Sequence, residues 1–205
     1  GGITSAIARA KGSKNSRSAQ IMAFNGLLIG AFVSLIYTVI LGFFPYEVFG
    51  LLSDSKEVIG GAIKYAEIGF GGAILTWLFF VLSSIIRGFG DTYAPAKAII
   101  IAGFFQIILS GLFTSGFGGI LDLGVAGPAA AMITCHAFAA LFLIRKIIVS
   151  NSILSFHNCF IDWNSIFNIL RVGGLGLINS ITIALNVVII TGFVSEFGVD
   201  ALAGY

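Results

Sequence analysis

His136 is a basic side chain near the middle of a long apolar run, residues 123–144. Polar groups at membrane depth are costly, so they are candidates for function. Imidazole gains and loses a proton near neutral pH, which makes His136 a candidate for proton coupling. The alternative is a neutral imidazole that hydrogen-bonds a neighbouring helix. The sequence leaves both interpretations open.

A pair of uncharged polar residues lies in the preceding apolar run. Gln106 and Ser110 are four residues apart, and Gly103 and Thr114 extend the same helical face. The stripe could line a substrate or cation cavity. It is equally typical of small and polar residues that pack two membrane helices together.

A third polar set lies in the last apolar run. Asn179, Thr182 and Asn186 are spaced i, i+3 and i+7, so they share one helical face. Their amides and hydroxyl could bind substrate or a hydrated cation without fixing a charge. Hydrogen bonds to a neighbouring helix would explain the same spacing.

Glu67 is the remaining candidate, an acidic residue 20 positions before Arg87. At about 1.5 Å per residue, that separation puts Glu67 near a membrane boundary if Arg87 is at the other. Facing a cleft, Glu67 would serve as a proton entry point. Otherwise it is a solvated carboxylate at the interface.

The sequence carries no pattern of known catalysis. It has no Ser/His/Asp set, no metal-ligand cluster and no GxxxxGK[ST] phosphate loop, and Cys135 and Cys159 have no metal-type spacing. Its basic residues form no stripe of the kind that binds nucleic acid. We therefore expect a protein that is not an enzyme, needs no cofactor and binds no nucleic acid.

These candidate residues lie in a chain with the composition of a membrane protein. Of 205 residues, 58% are hydrophobic and 10% are charged, against about 25% charged in soluble domains. Five apolar runs approach the ~20 residues that span a bilayer. The sequence predicts an all-α polytopic membrane protein, with helices at 21–44, 62–86, 95–116, 125–148 and 168–195 and the end of an earlier helix at 1–8.

The charges between these runs alternate. Nine of the eleven Lys and Arg residues fall in or beside the first, third and fifth connections. Basic loops stay in the cytoplasm, so we expect 9–17, 87–97 and 145–171 to be cytoplasmic. The connections 45–61 and 117–124 and the end at 196–205 are then external, in a multi-pass protein of the plasma (inner) membrane.

Several short motifs resemble those of the MATE (multidrug and toxic compound extrusion) transporters, and they arrive in that family's order and spacing. The most specific is RGFGDT at 87–92, followed by Pro95, which is similar to a turn between the family's fourth and fifth helices. The others are ARAKG at 8–12, KYA at 64–66, LGVAGPA at 123–129 and FGVDALAGY at 197–205.

The resemblance implies part of a twelve-helix, two-lobe fold. Residues 1–148 would form most of the N-terminal lobe, from the end of helix two to helix six. Residues 149–165 would be the cytoplasmic inter-lobe loop, and 166–205 the first helix of the C-terminal lobe. The chain opens at Gly1 without a Met and stops abruptly at Tyr205, so we expect a piece of a longer protein.

The function implied by the resemblance is efflux of lipophilic or cationic small molecules by antiport against H⁺ or Na⁺, with alternating access between the lobes. We expect the lipid bilayer as its surroundings and a monomer at full length. Two positions depart from the family. Ser110 stands where many members have an Asp, and Cys135-His136 stands where the motif reads Ser-Gln. A lipid-linked oligosaccharide flippase and a non-transporting membrane scaffold are the alternatives.

Overall fold

The regular elements are all helical in the computed structural model, which describes residues 1–43, 56–116, 122–149 and 159–195. A 3₁₀ turn, Gly124–Ala126, precedes the sixth helix. The all-α prediction is confirmed. The helices are α1 (Gly2–Gly12), α2 (Ser16–Phe43), α3 (Lys56–Gly71), α4 (Ala73–Gly88), α5 (Tyr93–Ser115), α6 (Gly127–Val149) and α7 (Trp163–Ser195).

The described ranges contain four to five membrane spans, against five predicted. Four helical stretches are long and apolar enough to cross a bilayer, namely Ser16–Ile40, Tyr93–Ser115, Gly124–Val149 and Trp163–Ile183. Helices α3 and α4 are a bent pair that makes a fifth if the two cross the bilayer as one span. The span from Ser16 begins earlier than predicted because the side chain of Asn15 accepts a hydrogen bond from the Ser18 N–H at 2.9 Å, which caps α2.

The fifth span corrects the prediction of one continuous helix at 62–86. Helices α3 and α4 are bent by 50° relative to each other at Gly72. Consecutive Gly71 and Gly72 weaken the helix, since each glycine costs about 1 kcal/mol relative to alanine. A Cβ on Gly72 would also lie 2.6 Å from the Ile133 side chain, so glycine lets α6 pack against the break.

Helix α4 is at the centre of the bundle, in contact with α1, α2 and α6. One face of α4 packs on α6, and Phe79 and Leu143 are almost fully buried between them. The opposite face packs on α1 and α2 around Ile7 and Ile85. Helix α5 packs mainly along α6, and α7 lies against α1 and α2.

The predicted loops are shorter in the structure than in the sequence interpretation. Helix α1 continues through Arg9 to Gly12, so the loop predicted at 9–17 is a turn around residues 13–15. Helix α3 already begins at Lys56, within the predicted loop 45–61, and α5 begins at Tyr93, within the predicted loop 87–97. The rest of loop 45–61, most of the inter-lobe loop and the motif at 197–205 lie outside the described residues.

The turn between α4 and α5 also contacts α1 and α6, so it links four helices at one end of the bundle. The Lys11 ammonium donates a hydrogen bond to the Phe89 carbonyl oxygen, which ties α1 to the turn. The Asp91 carboxylate accepts the Ala94 N–H at 3.0 Å and pairs with Lys146 of α6 at 3.1 Å. The Ala94 hydrogen bond and Lys146 hold the pKa of Asp91 below its usual value. Residues of the RGFGDT motif therefore stabilise the turn through these contacts.

Candidate functional site

His136 lies between α6 and α4 with 9% of its surface exposed. Its Nδ1 is 3.1 Å from the hydroxyl oxygen of Thr76, one turn after the break at Gly72. The imidazole is stacked on Phe79, with ring centroids 5.2 Å apart and planes 11° from parallel. Phe80 meets it edge-on at 5.6 Å. The ring is thus enclosed by one helix and held by one hydroxyl.

Gln106 and Ser110 are half-buried on α5. Their helical spacing is as predicted, and Gly103 continues the stripe with open space around its Cα. Helix α5 packs on α6, whereas the Thr76 partner of His136 is on α4. The described contacts of the His136 ring are thus to Thr76, Phe79 and Phe80 of α4 rather than to the stripe.

The polar stripe of the last apolar run lies on α7, and its described side chains point outward. Thr182 and Asn186 are exposed, and the Thr182 hydroxyl donates to the Ile178 carbonyl of its own helix at 2.9 Å. Asn179 lies three residues before Thr182 on the same helix, but its side chain is outside the described set. Glu67 is exposed on α3, four residues before the helix ends at Gly71.

Two of the cavities in the described bundle lie along α6. One, of about 370 Å³, lies between α5 and α6 and has almost entirely apolar walls, among them Phe105, Cys135 and Phe142. The other, of about 420 Å³, opens beside the break between α3 and α4. It is lined by four aromatic residues together with Gly69, Ala73, Thr76 and Met132; the aromatic residues are Tyr37, Phe70, Trp77 and Phe80.

The sequence interpretation missed the residues around this second cavity. Thr76 and Trp77 were passed over because they lie within an apolar run without any charge. The signal was the Gly71-Gly72 pair, since interrupted membrane helices often mark binding sites. No group of three His, Cys, Asp or Glu side chains within the described ranges is placed to hold a metal ion.

The arrangement of apolar spans around a broken helix defines a multi-pass helical membrane protein. The family model MatE matches residues 1–112. The probable multidrug resistance protein YoeA of Bacillus subtilis is 25% identical over 204 residues, which cover 97% of this chain and 44% of that protein. The probable multidrug resistance protein NorM of Thermotoga maritima is also 25% identical, over an alignment that covers 100% of this chain and 44% of that protein.

The solved structures agree on the fold. The Vibrio cholerae MATE transporter VcmN, crystallised in a bent form, superimposes with a TM-score of 0.83 at 20% identity, over 98% of this chain and 45% of that one. The chain belongs to the MatE family, which confirms the resemblance to the MATE transporters. It spans about half the length of the curated relatives that it matches.

Proposed function

We propose that the full-length protein exports lipophilic and cationic small molecules across the plasma (inner) membrane. The observation that carries the proposal is the family match, together with relatives whose names describe multidrug resistance and export. Transport would be secondary active, as the resemblance to the MATE transporters implies, and the 205 residues of this chain hold no phosphate loop for ATP. An H⁺ or Na⁺ gradient would supply the energy, with no cofactor and no enzymatic step.

Two lobes that alternate between inward and outward access would move the substrate. Residues 1–148 would belong to the N-terminal lobe and 166–205 to the C-terminal lobe, with 149–165 joining them. The basic connections would be cytoplasmic, because Lys11, Asp91 and Lys146 gather at one end of the bundle. We further propose that the full-length protein is a monomer.

The proposal predicts that dye export stops when the ion gradient collapses. Bacteria that lack their own exporters and express the full-length protein are loaded with ethidium, and efflux is followed by fluorescence. A protonophore, or removal of external Na⁺, should stop efflux within the assay, and which treatment acts identifies the ion. Cells with the empty vector give the background rate.

Efflux that continues at the full rate after both gradients collapse would contradict the coupling. A protein that exports no dye but moves a lipid-linked oligosaccharide in liposomes would favour the flippase alternative. Liposomes in which neither compound moves would favour the scaffold alternative.

The candidate cavity residues have three different roles in this proposal. Gln106 and Ser110, with Asn179, Thr182 and Asn186, would contact substrate or cation through uncharged groups, and Glu67 would be solvated at the membrane boundary. His136 would remain a neutral imidazole, because it lies between two phenyl rings and its Nδ1 is occupied by Thr76. Protonation of the His136 imidazole would place a cation among apolar side chains.

A neutral His136 predicts that His136→Gln keeps both efflux and its dependence on external pH. A glutamine amide can bond the Thr76 hydroxyl and carries no charge at any pH, so little changes at the site. Initial ethidium efflux rates between pH 6 and pH 8 should agree with wild type within about twofold. The adjacent Cys135→Ser is the matched control. A flattened pH profile in His136→Gln alone would instead identify His136 as a proton carrier.

A further inference from the structure

The cavity beside the helix break, hereafter the aromatic pocket, has walls from four helices. Tyr37 comes from α2, Phe70 from α3, Trp77 and Phe80 from α4, and Met132 from α6. Its volume of about 420 Å³ lies in the range of about 300–1,000 Å³ that is usual for small-molecule sites. The pocket is therefore large enough for a ligand of several rings.

Three of the four aromatic residues form one wall of the pocket and contact each other through Tyr37. Tyr37 is stacked on Phe70 with centroids 6.3 Å apart and planes 4° from parallel. The same ring is 6.0 Å from that of Trp77, inclined by 32°. The Thr38 hydroxyl donates to the Phe70 carbonyl at 2.9 Å and so fixes the end of α3 against α2. The aromatic walls are thus held by contacts between helices.

The break itself creates the space. Gly69 and Ala73 line the pocket on either side of the bend, and neither has a side chain long enough to fill it. Beyond the bend, the Thr76 hydroxyl lies on the pocket wall and is backed by His136 at 3.1 Å. The pocket therefore combines aromatic faces with one polar contact, at a discontinuous helix of the kind that binds substrate in transporters.

The residues that line the pocket indicate which charge its ligand carries. Aromatic faces carry negative partial charge and attract cations, Trp most strongly. No Lys or Arg is among the residues that line the pocket. Glu67 lies three residues before Phe70, about one helical turn away on the same face of α3. The helix-end charges of α3 and α4 oppose each other at the break, so they favour neither sign.

We propose that the aromatic pocket binds the delocalised cationic part of a polycyclic organic substrate against the wall formed by Tyr37, Phe70 and Trp77. The inference rests on the proposed export function and assigns it a recognition site that the sequence candidates did not include. Aromatic faces attract the cation, and Thr76 offers one hydrogen bond.

The test measures binding of two ligands of the same shape and opposite charge. The probes are tetraphenylphosphonium and tetraphenylborate, and equilibrium dissociation constants are measured on the full-length protein in nanodiscs. Trp77→Leu should weaken phosphonium binding about tenfold, and Trp77→Phe about threefold, because the aromatic face is lost or reduced. Neither variant should weaken borate binding.

The matched control is Trp163→Leu, the same change at an indole that is 75% exposed at the start of α7. It should leave both dissociation constants within about twofold of wild type. Trp77→Phe keeps a ring in the pocket. If Trp77→Leu does not fold, the phosphonium and borate dissociation constants of Trp77→Phe decide the test.

Two results would overturn the inference. Equal weakening of phosphonium and borate would show an apolar groove for any lipophilic group, including a lipid chain. Unchanged binding of both would show that the ligand is elsewhere. Dye export that persists in Trp77→Leu with unchanged binding would refute the pocket and leave the export function standing. A wild-type protein that exports no dye would refute the function, and the binding comparison would still decide the pocket.

Discussion

Replacing Gly127 with Ala should remove most of the folded protein from the membrane. Gly127 is the first residue of α6, at the point where that helix meets the end of α5. A Cβ there would lie 2.6 Å from the Thr114 backbone nitrogen and 2.8 Å from the Phe113 carbonyl carbon. Backbone atoms cannot rotate aside, so α5 and α6 would have to separate.

The cost follows from how α5 is held. Helix α5 packs mainly along α6, so a shift at Gly127 affects the largest helix pair in the bundle. Overpacking of this kind costs about 3 kcal/mol. We expect this loss to appear as a lower yield of monodisperse protein and a lower unfolding temperature in detergent. Both are measured by fluorescence-detected size-exclusion chromatography after heating.

Gly103→Ala is the matched control for that experiment. Gly103 lies on α5, and a Cβ there meets no atom within 4 Å. The same substitution should leave yield and unfolding temperature unchanged or slightly raised, because alanine favours the helix. Equal yields from Gly127→Ala and Gly103→Ala would show that α5 and α6 are not packed at Gly127 as the structure places them.

The approximate number of membrane spans follows from sequence because it depends on local composition, whereas the start of α2 at Ser16 was predicted five residues too late. Apolar runs set the spans, and polar residues such as Asn15 set their ends. The break at Gly72 was missed because an apolar run of the right length reads as one helix. The glycine pair by itself does not say whether a helix bends there. That outcome depends on Ile133 of α6, 61 residues away along the chain, packing against the gap.

The candidate site likewise has local features that the sequence predicts and contacts between helices that it does not. The spacing of Gln106 and Ser110 correctly places them on one face of α5, since helical periodicity is a local property. The partner of His136 is Thr76, and no local pattern links those two positions. Their contact depends on the register between α4 and α6. The aromatic pocket needs four helices to meet, so a sequence without coordinates shows only scattered Phe, Tyr and Trp residues.

Asn25 is a fully buried amide that sequence patterns did not single out. Its Nδ2 donates to the Ile21 carbonyl at 2.8 Å and to the Phe160 carbonyl at 3.2 Å. Its Oδ1 accepts the Asp162 N–H at 3.1 Å. Asp162 in turn accepts the Ser165 N–H at 3.1 Å in the first turn of α7. One side chain of α2 therefore fixes the segment that leads into α7.

Asn25→Leu should detach that segment while the helices remain. Leucine has a similar size but leaves the Phe160 carbonyl and the Asp162 N–H without their partner. Each buried polar group left unpaired costs about 1–3 kcal/mol, so two such groups should cost about 2–6 kcal/mol. Part of this cost disappears if the segment moves out into water, which makes local opening the expected response.

Cys159 reports such opening because its thiol lies 4.0 Å from the Gln20 carbonyl and is half-buried beside the segment. Burial raises the pKa of this thiol, outweighing the nearby Arg17, so reaction with a maleimide is slow in the closed form. Asn25→Leu should speed labelling of Cys159 about tenfold in membranes. Cys135, buried between α5 and α6, should remain unlabelled on the same timescale.

Asn164→Leu is the control, the same change at an exposed amide two residues after Asp162, and it should leave the labelling rate of Cys159 unchanged. The comparison shows whether the Asn25 amide or a contact between helices anchors the start of α7. Helix α1 also approaches α7 closely, since a Cβ on Gly2 would lie 2.4 Å from the Ile169 carbonyl oxygen. Unchanged labelling in Asn25→Leu would assign the anchoring to that helix contact. Faster labelling would assign it to the amide, and the start of α7 would then move with α2 only while that amide remains paired.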